Sequence, residues 1–202
     1  IKTEYKYPDD FPGIYEEMTA KNIINPIVSV KTFNGSTPTS ELKNNYYKDV
    51  TANDYKISSI VHSWGTDANS QANALEQIGT ISRYDAKGNI CEYTGKDGII
   101  STIIWGYNYI YPVAKISGAG YNTVAGFLPG GVSAIQTLDG QPLRDALNAI
   151  RTGLPGVQVS TYTYKHLIGV TSITDPVNRT SRFEYDGMGR LIHVFDPDGN
   201  VV

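Results

Sequence analysis

The sequence predicts a mainly all-β fold, built from successive antiparallel β-hairpins with one or two short helices. Three observations predict it. A Tyr-Asp-x-x-Gly turn motif occurs twice, apolar and polar residues alternate along most segments, and the chain of 202 residues contains 15 Tyr and 20 Gly. Tyrosine suits half-buried pleated surfaces and scattered glycine suits turns, so this composition favours strands joined by tight turns.

The turn motif occurs at 84–88 and again at 185–189, and each copy is followed at the same distance by an Asp-Gly pair. An Asp side chain opens a turn by accepting hydrogen bonds from the backbone amides ahead of it, while Gly takes the position of positive φ. Each copy therefore predicts a strand, a turn, a strand and a second turn. The predicted turn residues are Tyr84, Asp85, Gly88, Asp97, Gly98, Tyr185, Asp186, Gly189, Arg190, Asp196, Pro197 and Gly199.

A shorter repeated pattern, an Asp-Pro pair, occurs around the second copy. The pair Asp175-Pro176 recurs as Asp196-Pro197, twenty-one residues later. A period near twenty that holds one hairpin is typical of repeats whose units stack to bury a shared core.

The remaining strands follow from period-two alternation and from their flanking turn residues. Residues 99–111 predict the longest apolar strand, in which Tyr107, Tyr109 and Tyr111 continue the face of Trp105 until Pro112 ends it. Other strands are predicted at 1–8, 25–33, 42–50, 55–64, 75–84, 89–94, 157–164 and 170–174, with polar loops at 36–40 and 65–74.

Helices are predicted at about 12–22 and at 141–152. The second is the clearer, because its apolar residues fall at i, i+3, i+4 and i+7, Asp139 suits the N-cap, and Gly153 with Pro155 ends it. We expect residues 1–202 to form a single elongated β region and to be a fragment of a longer protein. An alternative subdivision places β repeats at 1–115 and 155–202 around a glycine-rich and helical insert at 118–153.

Composition argues against several classes of function. Charged residues make up 18% of the chain and the net charge is −3, so no basic stripe exists to follow a nucleic acid. No apolar run approaches the ~20 residues of a membrane span. The single cysteine, Cys91, lies in a predicted strand and is interpreted as a small buried apolar residue.

The titratable residues show no catalytic or metal-binding pattern. His62, His166 and His193 are far apart, without an HxH, HExxH or CxxC motif. We therefore predict no catalytic residue, no cofactor and no metal ligand. Two alternatives stay open: a histidine site assembled by the fold, and a calcium site at Asp175, Asp196 and Asp198, for which the closing Glu of an EF-hand loop is missing.

Four aromatic residues are candidates for stacking against a ligand. The apolar faces of sugar rings pack on aromatic side chains, so an aromatic row on a sheet is compatible with glycan binding, although core packing explains most such residues. The candidates are Trp64, Trp105, Tyr107 and Tyr109.

The second motif copy carries a family resemblance. Tyr185-Asp186-x-x-Gly189-Arg190-Leu191, followed by Asp196-Pro197-x-Gly199-Asn200, resembles the YD repeat of RHS-type proteins. The first copy has Asn89 and Ile90 in place of Arg and Leu, and the segment 161–176 is similar to the large cell-surface YD-repeat proteins of Bacteroidetes bacteria. The resemblance implies a curved, winding RHS-like sheet in a bacterial protein that is exported to the cell surface or secreted.

The resemblance also implies a function. In bacterial relatives the sheet forms a shell that encloses a toxic C-terminal domain, and in animal teneurins a similar shell supports adhesion. We therefore expect a non-catalytic scaffold or shell segment, whose partners are the remainder of its own chain and either glycans or a protein cargo. The alternatives are a glycan- or protein-binding surface module and a shell part of a polymorphic toxin delivery protein. The segment 196–200 only partly matches the self-cleaving core of toxin-releasing relatives.

Overall fold

The structure is a computed structural model that describes residues 1–64 and 76–202, apart from the side chain of residue 64. In the described residues, twelve strands form one sheet in which each strand is hydrogen-bonded to its neighbours in sequence order. The predicted fold class, a mainly β chain of successive antiparallel hairpins with few helices, is confirmed. The polar loop predicted at 65–74 lies outside the described residues.

Apart from β3 with 13 residues and β4 with 11, the strands are short, and most are joined by tight turns. The strand bounds are β1 Lys2–Lys6, β2 Ser29–Asn34, β3 Thr37–Asp49, β4 Asp54–Trp64, β5 Glu76–Tyr84, β6 Ile90–Gly95, β7 Ile100–Gly106, β8 Tyr111–Ser117, β9 Gln158–Lys165, β10 Gly169–Thr174, β11 Thr180–Tyr185 and β12 Leu191–Phe195. The helices are α1 Ile14–Ala20, α2 Tyr121–Gly126, α3 Gly131–Ala134 and α4 Gly140–Gly153. None of these described helices is long and apolar enough to cross a membrane.

The chain divides into two compact units. Unit 1 comprises residues 1–82 and 94–98, and unit 2 comprises residues 83–93 and 99–202. The single elongated region over 1–202 and its subdivision stay predictions.

In unit 1, helix α1 confirms the helix predicted at about 12–22 but is shorter. Its Met18 is fully buried, while the Tyr15 hydroxyl donates to the backbone oxygen of Asn44 at 3.3 Å. The Glu17 carboxylate accepts from the Tyr55 hydroxyl at 3.2 Å and pairs with Lys48 at 2.6 Å. One apolar residue and three polar contacts therefore fix this short helix on β3 and β4.

The polar loop predicted at 36–40 is wrong over most of its length. Asn34 pairs directly with Thr37, so a two-residue turn joins β2 to β3, and Gly35 in that turn has φ +61°. The threonine and serine residues that follow suit a strand as well as a loop. Here the Thr32 hydroxyl lies 2.6 Å from that of Ser40 across the hairpin.

In unit 2, the predicted helix at 141–152 is confirmed as α4, and it covers one face of the sheet. The Asp139 carboxylate accepts from the Gly140 amide at 2.6 Å, which satisfies one of the free donors at the start of the helix. Its apolar stripe is buried together with residues of β7, β8 and β9. The buried residues of this core are Ile104, Val113, Ala114, Ile116, Val124, Leu128, Ile135, Leu143, Ala146, Leu147, Ile150 and Val159.

The long strand predicted over 99–111 is wrong. Strand β7 ends at Gly106, and Tyr107, Asn108 and Tyr109 have φ of +52°, +58° and +66°. The chain reverses there and returns as β8, which contains Pro112. Three consecutive residues in the left-handed region are costly, and the side chain of Gln136 compensates by accepting from the Tyr109 amide at 2.9 Å.

The segment 118–140, for which the sequence gives no clear pattern, forms α2, α3 and a 3-10 turn at Ile135–Thr137.

The single cysteine, Cys91, lies in strand β6 and is buried, with 2% of its surface exposed. Burial raises the pKa of its thiol to about 11.

Candidate functional site: aspartate-closed turns and a tyrosine cluster

Unit 2 contains a turn of five residues that occurs four times. In each copy the amide of the first residue donates to the carbonyl of the fifth, and the amide of the fourth donates to the carbonyl of the first. The turns span 85–89, 175–179, 186–190 and 196–200, and both backbone hydrogen bonds measure 2.9 to 3.1 Å in every copy. The first residue is always Asp.

The carboxylate of the first residue closes the turn from inside. Oδ1 of Asp186 accepts from the amides of Met188 and Arg190, both at 2.9 Å. Oδ2 of Asp186 accepts from Nε of Arg190 at 2.7 Å. Both carboxylate oxygens are therefore engaged within the five residues of the turn.

The fourth residue has positive φ in every copy. It is Gly88, Gly189 and Gly199 in three turns, with φ of +85°, +78° and +88°. In the turn at 175–179 it is Asn178, with φ +64°. Asparagine tolerates the left-handed region better than most residues, which explains why this copy lacks the glycine of the motif.

The fifth residue is either Arg or Asn, and both bind Oδ2 of the aspartate. Nε of Arg179 lies 2.9 Å from Asp175, while Nδ2 of Asn89 lies 2.9 Å from Asp85 and Nδ2 of Asn200 lies 3.0 Å from Asp196. The Asn at position 89, which is a departure from the YD-repeat pattern, thus makes the same contact as Arg190.

These contacts lower the pKa of three of the turn carboxyl groups. The amide of Arg179 has the largest effect on the pKa of Asp175, and the amide of Arg190 has the largest effect on that of Asp186. For Asp196 the largest contribution to the lowered pKa is the side-chain amide of Asn200. A carboxylate that is fully hydrogen-bonded and holds its charge is suited to fixing a turn and poorly suited to proton transfer near neutral pH.

The other motif residues lie at defined places around these turns. Pro197 takes the second position of its turn, where its fixed φ fits. The Tyr185 hydroxyl donates to the backbone oxygen of Val170 at 2.9 Å. A Cβ on Gly169 would lie 2.8 Å from that hydroxyl, so a side chain at this position would displace the tyrosine. Tyr84 ends β5 as Tyr185 ends β11.

The Asp97-Gly98 pair forms a different turn. The Gly98 amide donates to the carbonyl of Gly95 at 3.1 Å, and Gly98 has φ +75°. The turn therefore begins at a glycine, and Asp97 lies at its tip rather than at its start.

The aromatic candidates lie on different elements of the chain. Trp64 lies at the end of β4, and Nε1 of Trp105 donates to the backbone oxygen of Ile90 at 2.8 Å. Tyr107 and Tyr109 lie in the turn between β7 and β8 rather than on the strand with Trp105.

Tyr107 belongs instead to a tyrosine cluster that sequence reasoning missed. The rings of Tyr111 and Tyr164 stack at 4.7 Å, and Tyr107 meets them edge-on at 5.6 and 5.9 Å. The Tyr107 hydroxyl donates to Asp139 at 2.8 Å and accepts from the amide of Tyr164 at 2.9 Å. Burial raises the pKa of Tyr107. Beside the cluster lies a cleft of about 440 Å³ that is lined by Tyr107, Asp139 and His166.

Of the three histidines, His166 lines a cleft together with Asp139. Nδ1 of His166 lies 3.4 Å from the hydroxyl of Tyr111. His193 pairs with Glu184 at 3.3 Å, but both side chains are about half exposed on neighbouring strands. His62 lies in β4, opposite Leu42 and Glu76. Among the described residues there is no group of three or more His, Cys, Asp or Glu arranged to hold a metal ion.

The fold and the turns together define a class of protein, a β-hairpin repeat whose corners are closed by aspartate. Residues 169–201, which contain three of the four turns, match the family model described as RHS Repeat. Residues 169–201 are therefore similar to an RHS repeat, and the match covers this part of the chain alone.

Two solved structures are similar to the chain. The crystal structure of TcdB2-TccC3-Cdc42 aligns with a TM-score of 0.44 at 10% identity, and that of TcdB2-TccC3 without its hypervariable C-terminal region aligns with a TM-score of 0.42 at 11% identity. Each alignment covers 99% of this chain and 11% of the other, so this chain spans about a tenth of their length. A comparison with curated protein sequences gives no match.

Proposed function

We propose that this chain is a non-catalytic structural segment, a scaffold or shell part of a larger surface or secreted RHS/YD-repeat protein. The observation that carries this proposal is the aspartate-closed turn. Each repeated Asp, the residue type that a hydrolytic enzyme would use as acid or base, has both of its oxygens occupied by its own turn in all four copies.

The proposal predicts how stability responds to loss of these carboxylates. Replacing a catalytic carboxylate commonly leaves a protein as stable or makes it more stable, because active-site groups are not optimised for folding. Replacing a turn-closing carboxylate leaves backbone donors without their acceptor and destabilises the fold. The sign of the change in stability therefore separates the two roles.

The test compares Asp196→Ala with Asp198→Ala. Both changes remove one negative charge from the same turn, but Asp196 accepts from the amide and side chain of Asn200 whereas Asp198 is exposed at the tip. We expect the melting temperature measured by circular dichroism to fall by several degrees for Asp196→Ala. It should change little for Asp198→Ala. Equal melting temperatures for the wild type and Asp196→Ala would count against the scaffold role.

A second candidate function is a glycan- or protein-binding module, favoured by the tyrosine cluster and its adjoining cleft. A glycan array probed with the wild type and with His166→Ala tests it, because His166 is exposed and lines the cleft, while the stacked pair of Tyr111 and Tyr164 stays intact. Saturable binding that the substitution removes would favour this function. If no glycan on the array binds, the glycan-binding function is contradicted and the scaffold role stays the proposed function. The role of shell part in a toxin-delivery protein, with a protein cargo, rests on the family resemblance alone.

A further inference from the structure

A cleft of about 320 Å³ lies in unit 2 between α4 and the strands β9, β10 and β11. Three arginines line it, Arg144 and Arg151 from the helix and Arg182 from β11. Asp145 is the one acidic residue in the lining, which leaves an excess of two positive charges in a chain whose net charge is −3. We call this cavity the arginine cleft.

The floor of the arginine cleft is a row of hydroxyl groups. Thr174 pairs with Thr161 on one side and with Thr180 on the other, so the three threonines lie side by side across β9, β10 and β11. The hydroxyls of Thr174 and Thr180 are 2.9 Å apart, and Thr161 and Thr174 are only 4% and 5% exposed. Because the hydroxyl hydrogens rotate and only one of them is used between Thr174 and Thr180, the other hydroxyl of this pair is available to donate to a bound group.

The wall of the arginine cleft is held rigidly by neutral acceptors. Nη2 of Arg151 donates to the carbonyls of Val159 at 2.8 Å and Asp175 at 3.2 Å, and Nη1 donates to Oδ1 of Asn148 at 3.1 Å. The side chain of Arg144 donates to Oε1 of Gln141 at 2.7 and 3.1 Å. The guanidinium groups of Arg144 and Arg151 are thus oriented by neutral acceptors, and Asp175 is an acidic residue whose charge acts on Arg151.

Two further observations concern donors and charges of the cleft lining that have no partner among the described residues. Nε of Arg151 is buried and has no hydrogen-bond partner among the described residues. None of the three arginines forms a salt bridge within the described part of the chain, and Arg182 lies exposed at the rim. By contrast, Arg179 and Arg190, which lie outside the cleft lining, are both paired with turn aspartates.

We propose that the arginine cleft binds an oxyanionic group, either a phosphate or a carboxylate. Guanidinium groups match the geometry of both through paired N–H donors, and the threonine row adds neutral donors from below. The size of the cleft falls at the lower end of the range for small-molecule sites, which suits an anion or a small molecule that carries one. This inference goes beyond the scaffold role, because it assigns a ligand to a segment proposed as structural.

The experiment titrates the isotopically labelled chain with inorganic phosphate at constant ionic strength, with sodium chloride as the balancing salt, and follows amide chemical shifts by NMR. A second arm uses citrate, so that the two arms distinguish phosphate from carboxylate as the source of the anion. We expect saturable shifts at Thr161, Thr174 and Thr180 and at Nε of Arg151 in at least one arm.

The diagnostic variant is Arg182→Gln, which removes an exposed, unpaired guanidinium. Its affinity for the anion that binds should fall at least about tenfold, the loss of one charge-assisted hydrogen bond. The Arg144→Lys variant keeps the positive charge but loses the paired N–H donors of the guanidinium group. Its affinity for the anion should therefore lie between those of the wild type and Arg182→Gln.

The matched control is Lys115→Gln, which removes one positive charge from an exposed position on β8. Lys115 pairs with Ser160, the neighbour of Thr161, so it projects from the opposite face of the sheet. Its affinity should equal that of the wild type. The proposal is overturned if shifts in both arms increase linearly without saturation, or if Lys115→Gln weakens binding as much as Arg182→Gln.

Discussion

At the scale of single residues, the aspartate-closed turn explains which motif positions tolerate change. The fourth position requires positive φ, and it accepts Asn in one copy. The fifth position requires a donor that reaches Oδ2, and both Arg and Asn provide one. The first position is Asp in every copy, and in the copies at 85–89, 175–179 and 186–190 its carboxylate accepts from two amides and one side chain at once.

The requirement for positive φ leads to a prediction with a control inside the same turn. Gly189 has φ +78° and Gly187 does not have positive φ, while a Cβ at position 187 would meet nothing within 4 Å. Gly189→Ala should lower the free energy of unfolding by about 1–2 kcal/mol, the cost of a Cβ in the left-handed region. Gly187→Ala should leave it nearly unchanged. Urea denaturation of both variants measures the difference, and equal midpoints would contradict the assigned turn.

The lowered pKa of the turn carboxyls predicts how stability depends on pH. Because the pKa of Asp186 is lower in the folded state than in the unfolded chain, its carboxylate stabilises the fold above the unfolded value of about 4. That contribution is lost as the pH falls through the folded pKa. We expect the gap in melting temperature between the wild type and Asp186→Asn to be widest above about pH 5 and to close towards about pH 2. A gap that is constant with pH would show that the charge is irrelevant.

At the scale of elements, helix α4 shows where sequence reasoning succeeds. Its apolar spacing and N-cap are local features, and they predict both its position and the face that is buried. Leu147 is fully buried in the core of unit 2, so Leu147→Ala should lower the free energy of unfolding by about 2–5 kcal/mol. Thr152→Ala, at an exposed position of the same helix, should change it by less than about 0.5 kcal/mol. Thermal unfolding monitored by circular dichroism checks both, and equal losses would argue against the docking of α4.

Strand β7 and the turn after it show where sequence reasoning fails. Tyr107 and Tyr109 have strand propensity and continue the alternation, so nothing local indicates that the chain reverses there. The reversal depends on Gln136, a residue far along the chain whose side chain accepts from the Tyr109 amide and donates to the carbonyl of Trp105 at 2.8 Å. A tertiary contact thus overrides a local preference.

From the sequence, the turn at 175–179 is recognisable only as a second Asp-Pro pair. Asn178 stands where the motif has Gly, so the spacing alone does not identify this turn as a full copy.

The hydroxyl row of the arginine cleft has no local pattern in the sequence. It depends on the register of three strands, which places Thr161, Thr174 and Thr180 side by side although they are far apart in sequence.

At the scale of the whole chain, the single cysteine provides a probe of stability. Cys91 is buried, and burial raises the pKa of its thiol to about 11. In the folded protein, therefore, a reagent reaches the sulfur with difficulty and only a small fraction of the thiol is deprotonated. Labelling by a thiol reagent at pH 8 should be at least about a hundredfold slower in the folded protein than in the urea-unfolded chain. Variants that destabilise unit 2, such as Leu147→Ala, should accelerate it. Equal rates in the folded and unfolded chains would contradict the burial of this strand.

The aspartate-closed turn needs nothing beyond five consecutive residues, since its backbone and side-chain hydrogen bonds begin and end within them. A duplicated gene segment that encodes these five residues therefore encodes the complete turn. The strands on either side need only to pair with the neighbouring strands of the sheet. Lengthening such a protein by copying one hairpin therefore demands no simultaneous change elsewhere, and a copy survives the exchange of Gly for Asn or Arg for Asn without losing its shape.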